Sequence, residues 1–253
     1  MFNRISQLLK WGVARFADAV GSRLVRPDGA VLNVPHILSN GGHPRIIIPS
    51  GTANSSGRLT LNAALPWVLP SLYVWVPENV VSGVAVGAWY LASMSAGNII
   101  QLAGAPATTA GAYTQTTAAV TFSTVTVPGG VMGANGGLRV SQMYANTGSA
   151  NNKVIQSMFA GYLFAANNTF AGGITAYGYV STIRNLGSEG AQLRTNTFND
   201  VGTTSSATAI AFSQIDTSVS RAVLFTGSMS ATAVAANEYL ALMGVTVEVL
   251  PGV

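Results

Sequence analysis

Residues 79–138 run for sixty positions without an Asp, Glu, Lys or Arg. A stretch of that length has no charged group to mark a solvated face. The expectation is burial in a membrane, in its own core or against other subunits. The rest of the chain is only slightly richer: 8% of all 253 residues are charged, against roughly 25% in an ordinary soluble domain. Neutral surfaces rich in small residues tend to associate, so composition favours a member of a larger assembly. Cysteine is absent, which excludes disulfides and thiolate metal sites.

The net charge of +4 resides at one end. Residues 1–26 carry Arg4, Lys10, Arg15, Arg23 and Arg26 against Asp18, leaving seven charges of each sign over residues 27–253. The body therefore offers no basic stripe for phosphates, and no nucleic-acid partner is expected. Residues 80–102 are long enough to cross a bilayer, but Ser, Gly, Asn and Gln are scattered through them and no positive flank stands close by, so no membrane span is expected. Lys10, Arg15 and Asp18 interrupt what would be the apolar region of a signal peptide.

Phe2, Ile5, Leu9, Val13, Phe16, Val20 and Leu24 recur at spacings of three and four, which predicts an amphipathic helix over residues 2–24. Pro27 with Asp28-Gly29 ends it. A basic segment with an apolar face fits packing on its own domain, docking on another subunit, or lying on a membrane surface. Its contrast in charge with the body favours docking, and these seven residues are the candidate assembly surface. Residues 27–57, broken by Pro35, Gly41-Gly42, Pro44 and Pro49, read as an extended connector with a short strand.

From Arg58 onward the pattern is β. Short β-branched or aromatic runs stand at 59–61, 72–76, 84–86, 89–91 and 119–122, and again at 138–144, 153–164, 174–183, 208–212, 221–226 and 239–249. The expected fold is mainly β: an N-terminal amphipathic helix (1–26), the connector, a first antiparallel β domain over 58–128, and a sandwich or jelly roll over 129–253. The glycine cluster at 129–138 reads as a flexible boundary between the two.

Chemistry is sparse. His36 and His43 flank a Gly-Gly turn without an adjacent acid, so no metal site is expected. Glu78, Glu189, Asp200, Asp216, Glu238 and Glu248 are dispersed, and no G-x-S-x-G elbow is present, so neither paired-carboxylate nor serine catalysis has a positive signal. The expectation is a protein that is not an enzyme and takes no cofactor. The aromatic residues Trp67, Tyr73, Trp75, Trp89 and Tyr90 are more informative, because flat rings fill β cores and also form sugar platforms. Adjacent residues on a strand face opposite ways. At least one of Trp89 and Tyr90 must therefore face away from its strand's core side, making the pair the candidate contact with a ligand or another subunit.

The stretch PENVVSGVAVGAWYLASMSAGNIIQL at 77–102, its lead-in GTANSSGRLTLNAALPWVLPSLYVWVP at 51–77, and the segments YGYVSTIRNLGSEGAQLRTNTFND, IDTSVSRAVLFTGSMS and YLALMGVTVEVL resemble virion appendage proteins of tailed bacteriophages. The resemblance implies a homotrimeric, non-enzymatic component of the virion, assembled in the host cytoplasm. Its partners would be other tail or capsid proteins and host-surface glycan. A short tail fibre or tail-attached appendage is the leading expectation. A head-decoration protein clamping capsid subunits is the alternative, and a glycan-cleaving appendage the third. Heptads and collagen-like repeats are missing, so no long shaft is expected.

Overall fold

Alternating burial along the strands organises the molecule into sheets with two apolar cores. The computed structural model describes residues 23–25, 31–33, 36–40, 42–48, 50–114, 118–149, 151–167, 175–199, 210–250 and 252. Phe2, Ile5, Leu9, Val13, Phe16 and Val20 lie outside the described residues. The helix expected to reach Leu24 is corrected at its end: Leu24 belongs to a strand, β1 (Arg23–Val25), paired antiparallel with β2 (Val31–Asn33).

A large sheet gathers strands from both ends of the chain. In chain order these are β3 (His36–Asn40), β4 (Arg45–Ile47), β5 (Ser50–Ala53), β6 (Arg58–Leu61), β7 (Leu72–Val76), β8 (Ala88–Ala96), β9 (Ile99–Leu102) and β10 (Gly111–Thr114). It continues with β12 (Gly137–Asn146), β15 (Ala176–Asn185), β16 (Gln192–Asn199), β17 (Ile210–Ser213) and β19 (Leu240–Leu250). Their spatial order is β10-β5-β6-β9-β8-β7-β4-β19-β12-β15-β16-β17, with β3 also pairing β19. A small sheet of β11 (Val120–Val127), β18 (Arg221–Met229), β13 (Lys153–Phe159) and β14 (Tyr162–Asn167) lies over part of it, in the order β11-β18-β13-β14. All described pairings are antiparallel except β4 with β7. Residues 36–53, expected within an extended connector, thus supply three strands to the large sheet. Strands from either side of residue 129 share both sheets.

The first core lies between the sheets. Phe122, Phe159, Val223 and Phe225 of the small sheet meet Leu138, Val140, Tyr144, Ile183, Val247 and Val249 of the large one, all buried. The second core lies on the opposite face of the large sheet's first half, where Ile46, Leu59, Leu72, Val74, Ile100 and Leu102 pack beneath Leu65, Val80 and Val81. Period-two geometry explains the division: Ile46 serves the second core and its neighbour Ile47 the first.

Three local expectations are corrected. Val84-Ala85-Val86 is irregular rather than a strand: it follows a turn at Ser82-Gly83 with Gly83 at φ 79°, the Asn79 N–H donates to the Val84 carbonyl, and Val86 is 69% exposed. The apolar run had no strand partner to pair with. Residues 153–164 form a hairpin, with Ala160-Gly161 at positive φ between β13 and β14. The glycine cluster is pinned rather than flexible. Asn185 donates to the Gly133 carbonyl at 2.6 Å, the Gly130 N–H reaches the Thr217 carbonyl, and a Cβ at Gly136 would meet the Met132 carbonyl at 1.9 Å. Among the described residues no helix is long and apolar enough to cross a membrane; α1 (Ala231–Ala235) has five residues.

Candidate functional site

The small sheet does not cover the whole inner face of the large one. Its edge strand β11 stops at Trp89, whose indole Nε1 donates to the Thr121 carbonyl at 2.8 Å. Beyond that rim the same face continues across β4, β7, β8 and β9. Register identifies its residues. Arg45 pairs with Tyr73, and Tyr73 with Leu91. Two residues along the strands in one direction Trp75 pairs with Trp89, and two residues in the other Ser93 pairs with Gln101. Directly paired residues share a face, and Ile47, two residues from Arg45, points into the first core.

At the rim the rings form a connected series. Trp75 and Trp89 meet edge to face with centroids 5.4 Å apart, and Trp89 lies 5.6 Å from the buried Phe122, which contacts Tyr144 at 6.3 Å. Gly87 lies against Trp75 so closely that a Cβ would stand 2.5 Å from its ring. The Arg45 guanidinium sits 5.1 Å from the Tyr73 centroid and 5.6 Å from that of Trp89. Each contact is a cation–π geometry. Exposed His43 approaches Tyr73 at 6.0 Å. Three other cations are matched by acids: Lys153 by Glu238, Arg139 by Glu248 and Arg221 by Asp216. Arg45 is half-buried and has neither an ion pair nor a hydrogen bond to another described side chain.

Next to the rings the face dips into an open concavity of about 620 Å³ lined by Ser71, Leu91, Ser93, Gln101, Ala103 and Gly104 among others. Gln101 is fixed by donating to the Ser56 carbonyl at 3.0 Å. Leu91 is exposed. The surface combines an apolar plate, an amide, hydroxyls and a ring-flanked cation. Such a mixture suits a polar ligand with C–H faces better than a purely apolar one. Among the described residues no three His, Asp or Glu side chains group as metal ligands.

Of the candidate pair, Trp89 packs against the first core and Tyr90 against the second, both half-buried and on opposite faces. Trp89 borders the concave face; Tyr90 is turned away from it. Sequence reasoning missed Arg45, Leu91, Ser93 and Gln101. The alternation in Leu72-Tyr73-Val74-Trp75-Val76 does place Tyr73 and Trp75 on one face. The parallel pairing that brings Arg45 beside them left no local signal.

No family model and no curated protein matches this chain. Solved structures of similar arrangement include the winged bean acidic lectin complexed with methyl-α-D-galactose, at 8% identity and TM-score 0.31 over 86% of this chain and 98% of that one. Arcelin-5, a lectin-like defence protein from Phaseolus vulgaris, overlaps at 9% identity and TM-score 0.30 over 85% and 97%. The CBM2 module of the evolved Dit of Lactobacillus casei BL23 phage J-1 overlaps at 9% identity and TM-score 0.27 over 80% and 97%. Likenesses of this size identify no family and assign this chain no ligand.

Proposed function

We propose that this chain is a non-enzymatic structural component of a tailed-phage virion, a short tail fibre or tail-attached appendage, whose concave sheet face around Arg45 contacts host-surface glycan. The observation that carries the binding role is the open face itself: rings, an amide, hydroxyls and a guanidinium without an ion pair among the described residues, gathered beside a 620 Å³ concavity. Attachment to the particle falls to residues 1–26, which hold the chain's excess positive charge. Self-association as a homotrimer is supported by the other face of the large sheet. There Ser141, Val180, Thr182 and Thr246 form a surface with Ile37 and Met143 exposed, and its Arg139 and Glu248 are paired with each other.

The test is the protein's position and copy number in imaged particles, combined with a glycan array. A few copies at the tail and specific glycan binding support the proposal. Hundreds of copies on the head, with capsid stability depending on them and no glycan bound, would replace it with decoration. A variant lacking residues 1–26 that still entered particles would remove the docking role. A stable monomer in solution would remove the trimer.

A further inference from the structure

We propose that the concave face selects acidic saccharides, with a sugar carboxylate docking on the Arg45 guanidinium between Tyr73 and Trp89. This rests on the glycan-contacting reading above and adds the ligand's charge. The Tyr73 and Trp89 rings stand 5.1 and 5.6 Å from the Arg45 guanidinium, while no described side chain occupies its N–H groups. A guanidinium is always charged and presents paired donors in a planar fork that fits a carboxylate. A half-buried cation in that state is under-compensated, and an incoming anion supplies what the protein does not.

The surroundings favour the same ligand. Strands β4, β6, β7, β8 and β9 contain no Asp or Glu, so an anion on this face meets no like charge from the strands that build it. Arg58 pairs with Gln101 across β6 and β9 and therefore stands on the same face. Four inter-strand spacings separate it from Arg45, a span of about 19 Å. That leaves room for a short oligosaccharide with one carboxylate at Arg45, its sugar rings over Leu91 and the concavity, and a second acid toward Arg58. Gln101, Ser71 and Ser93 supply hydrogen bonds for ring hydroxyls.

The experiment is calorimetric titration of the full chain with a glucuronate-containing tetrasaccharide and with the same tetrasaccharide after reduction of its carboxyls. The acidic form should bind at least tenfold tighter. Arg45→Gln should bring both forms to the weaker affinity. Arg45→Lys, which keeps the charge but loses the fork, should restore only part of the difference. Ser93→Trp, which fills the concavity, should weaken both forms. Equal affinities for the two saccharides, or an Arg45→Gln variant that keeps the tenfold preference, would overturn the inference while leaving glycan contact standing. Failure to bind either saccharide, or any neutral glycan, would overturn both. Should Arg45→Gln not fold, the comparison of the two saccharides on the unaltered chain decides alone.

Discussion

Lys153 and Glu238 form an ion pair in the interior, with side-chain exposures of 0% and 4%. Glu238 follows α1 and lies two residues before β19, so the pair ties the first residue of β13 to the approach to β19. The carboxylate also accepts from Ser149 Oγ and Asn151 Nδ2, each at 2.5 Å, and Lys153 Nζ donates to Ser149 Oγ at 3.0 Å and the Asn151 carbonyl at 3.1 Å. Glu238→Gln preserves shape and removes the charge, leaving a buried ammonium without its counter-ion. Breaking one side of such a pair costs about 3–5 kcal/mol. In a chain of this size each kcal/mol shifts Tm by about 2–4 °C, so calorimetry should record a fall of about 6–20 °C. Replacing both partners, as Lys153→Met with Glu238→Leu, should recover most of the loss, since a buried pair contributes little beyond an apolar equivalent. A fall below about 2 °C for Glu238→Gln, or a double variant as unstable as the single, would refute the reasoning. The pair also fixes a pH dependence. Burial pushes the Glu238 carboxyl up, but the hydrogen bonds from Lys153, Ser149 and Asn151 and the Lys153 charge outweigh it and hold the pKa below the ordinary carboxylate value. Its stabilisation is therefore complete above the unfolded value of about 4.3 and is lost as pH falls through the lower folded value. The gap in Tm between the native chain and Glu238→Gln should narrow on acidification across that range.

Other substitutions test the packing. Gly227→Ala would place a methyl 2.2 Å from the ring of the fully buried Phe122 and 3.0 Å from Leu240; overpacking of this kind should cost about 1–3 kcal/mol in chemical denaturation. Tyr113 is buried with a hydroxyl that has no hydrogen-bond partner among the described residues, and burial raises its phenol pKa. Tyr113→Phe should therefore leave the denaturation midpoint unchanged or raise it, because an unsatisfied buried hydroxyl costs about 1–3 kcal/mol. Trp89→Phe removes the indole bond to Thr121 and should lower stability by about 1 kcal/mol in the same assay.

The strands of the body were legible where alternation was strong. Leu72–Val76, Arg221–Met229 and Leu240–Leu250 announce themselves through β-branched and aromatic residues at period two. Gln192–Asn199 did not, because QLRTNTFN is too polar for its alternation to stand out, yet it lies between two partners in the large sheet. Val84-Ala85-Val86 erred in the opposite direction: its apolar composition carried no information on whether a partner strand existed. The rim of rings was half legible, since Trp89 was singled out and its face relative to Tyr90 followed from the pleat. Arg45 was not, because its position depends on β4 lying between β19 and β7, a contact between residues far apart in the chain. Long-range register is a property of the assembled sheet, and no short window of sequence contains it.

The four tryptophans, Trp11, Trp67, Trp75 and Trp89, offer the most direct measurement of the claim that the Arg45 face binds saccharide. Trp75 and Trp89 stand on the face that carries Arg45, whereas Trp67 packs on Tyr239 beside the second core at 5.7 Å. In a titration of the indole-¹⁵N-labelled chain with the acidic tetrasaccharide, the Trp89 and Trp75 indole signals should shift together and saturably while Trp67 stays in place. Saturable binding that moves Trp67 and leaves Trp75 and Trp89 unchanged would contradict the account.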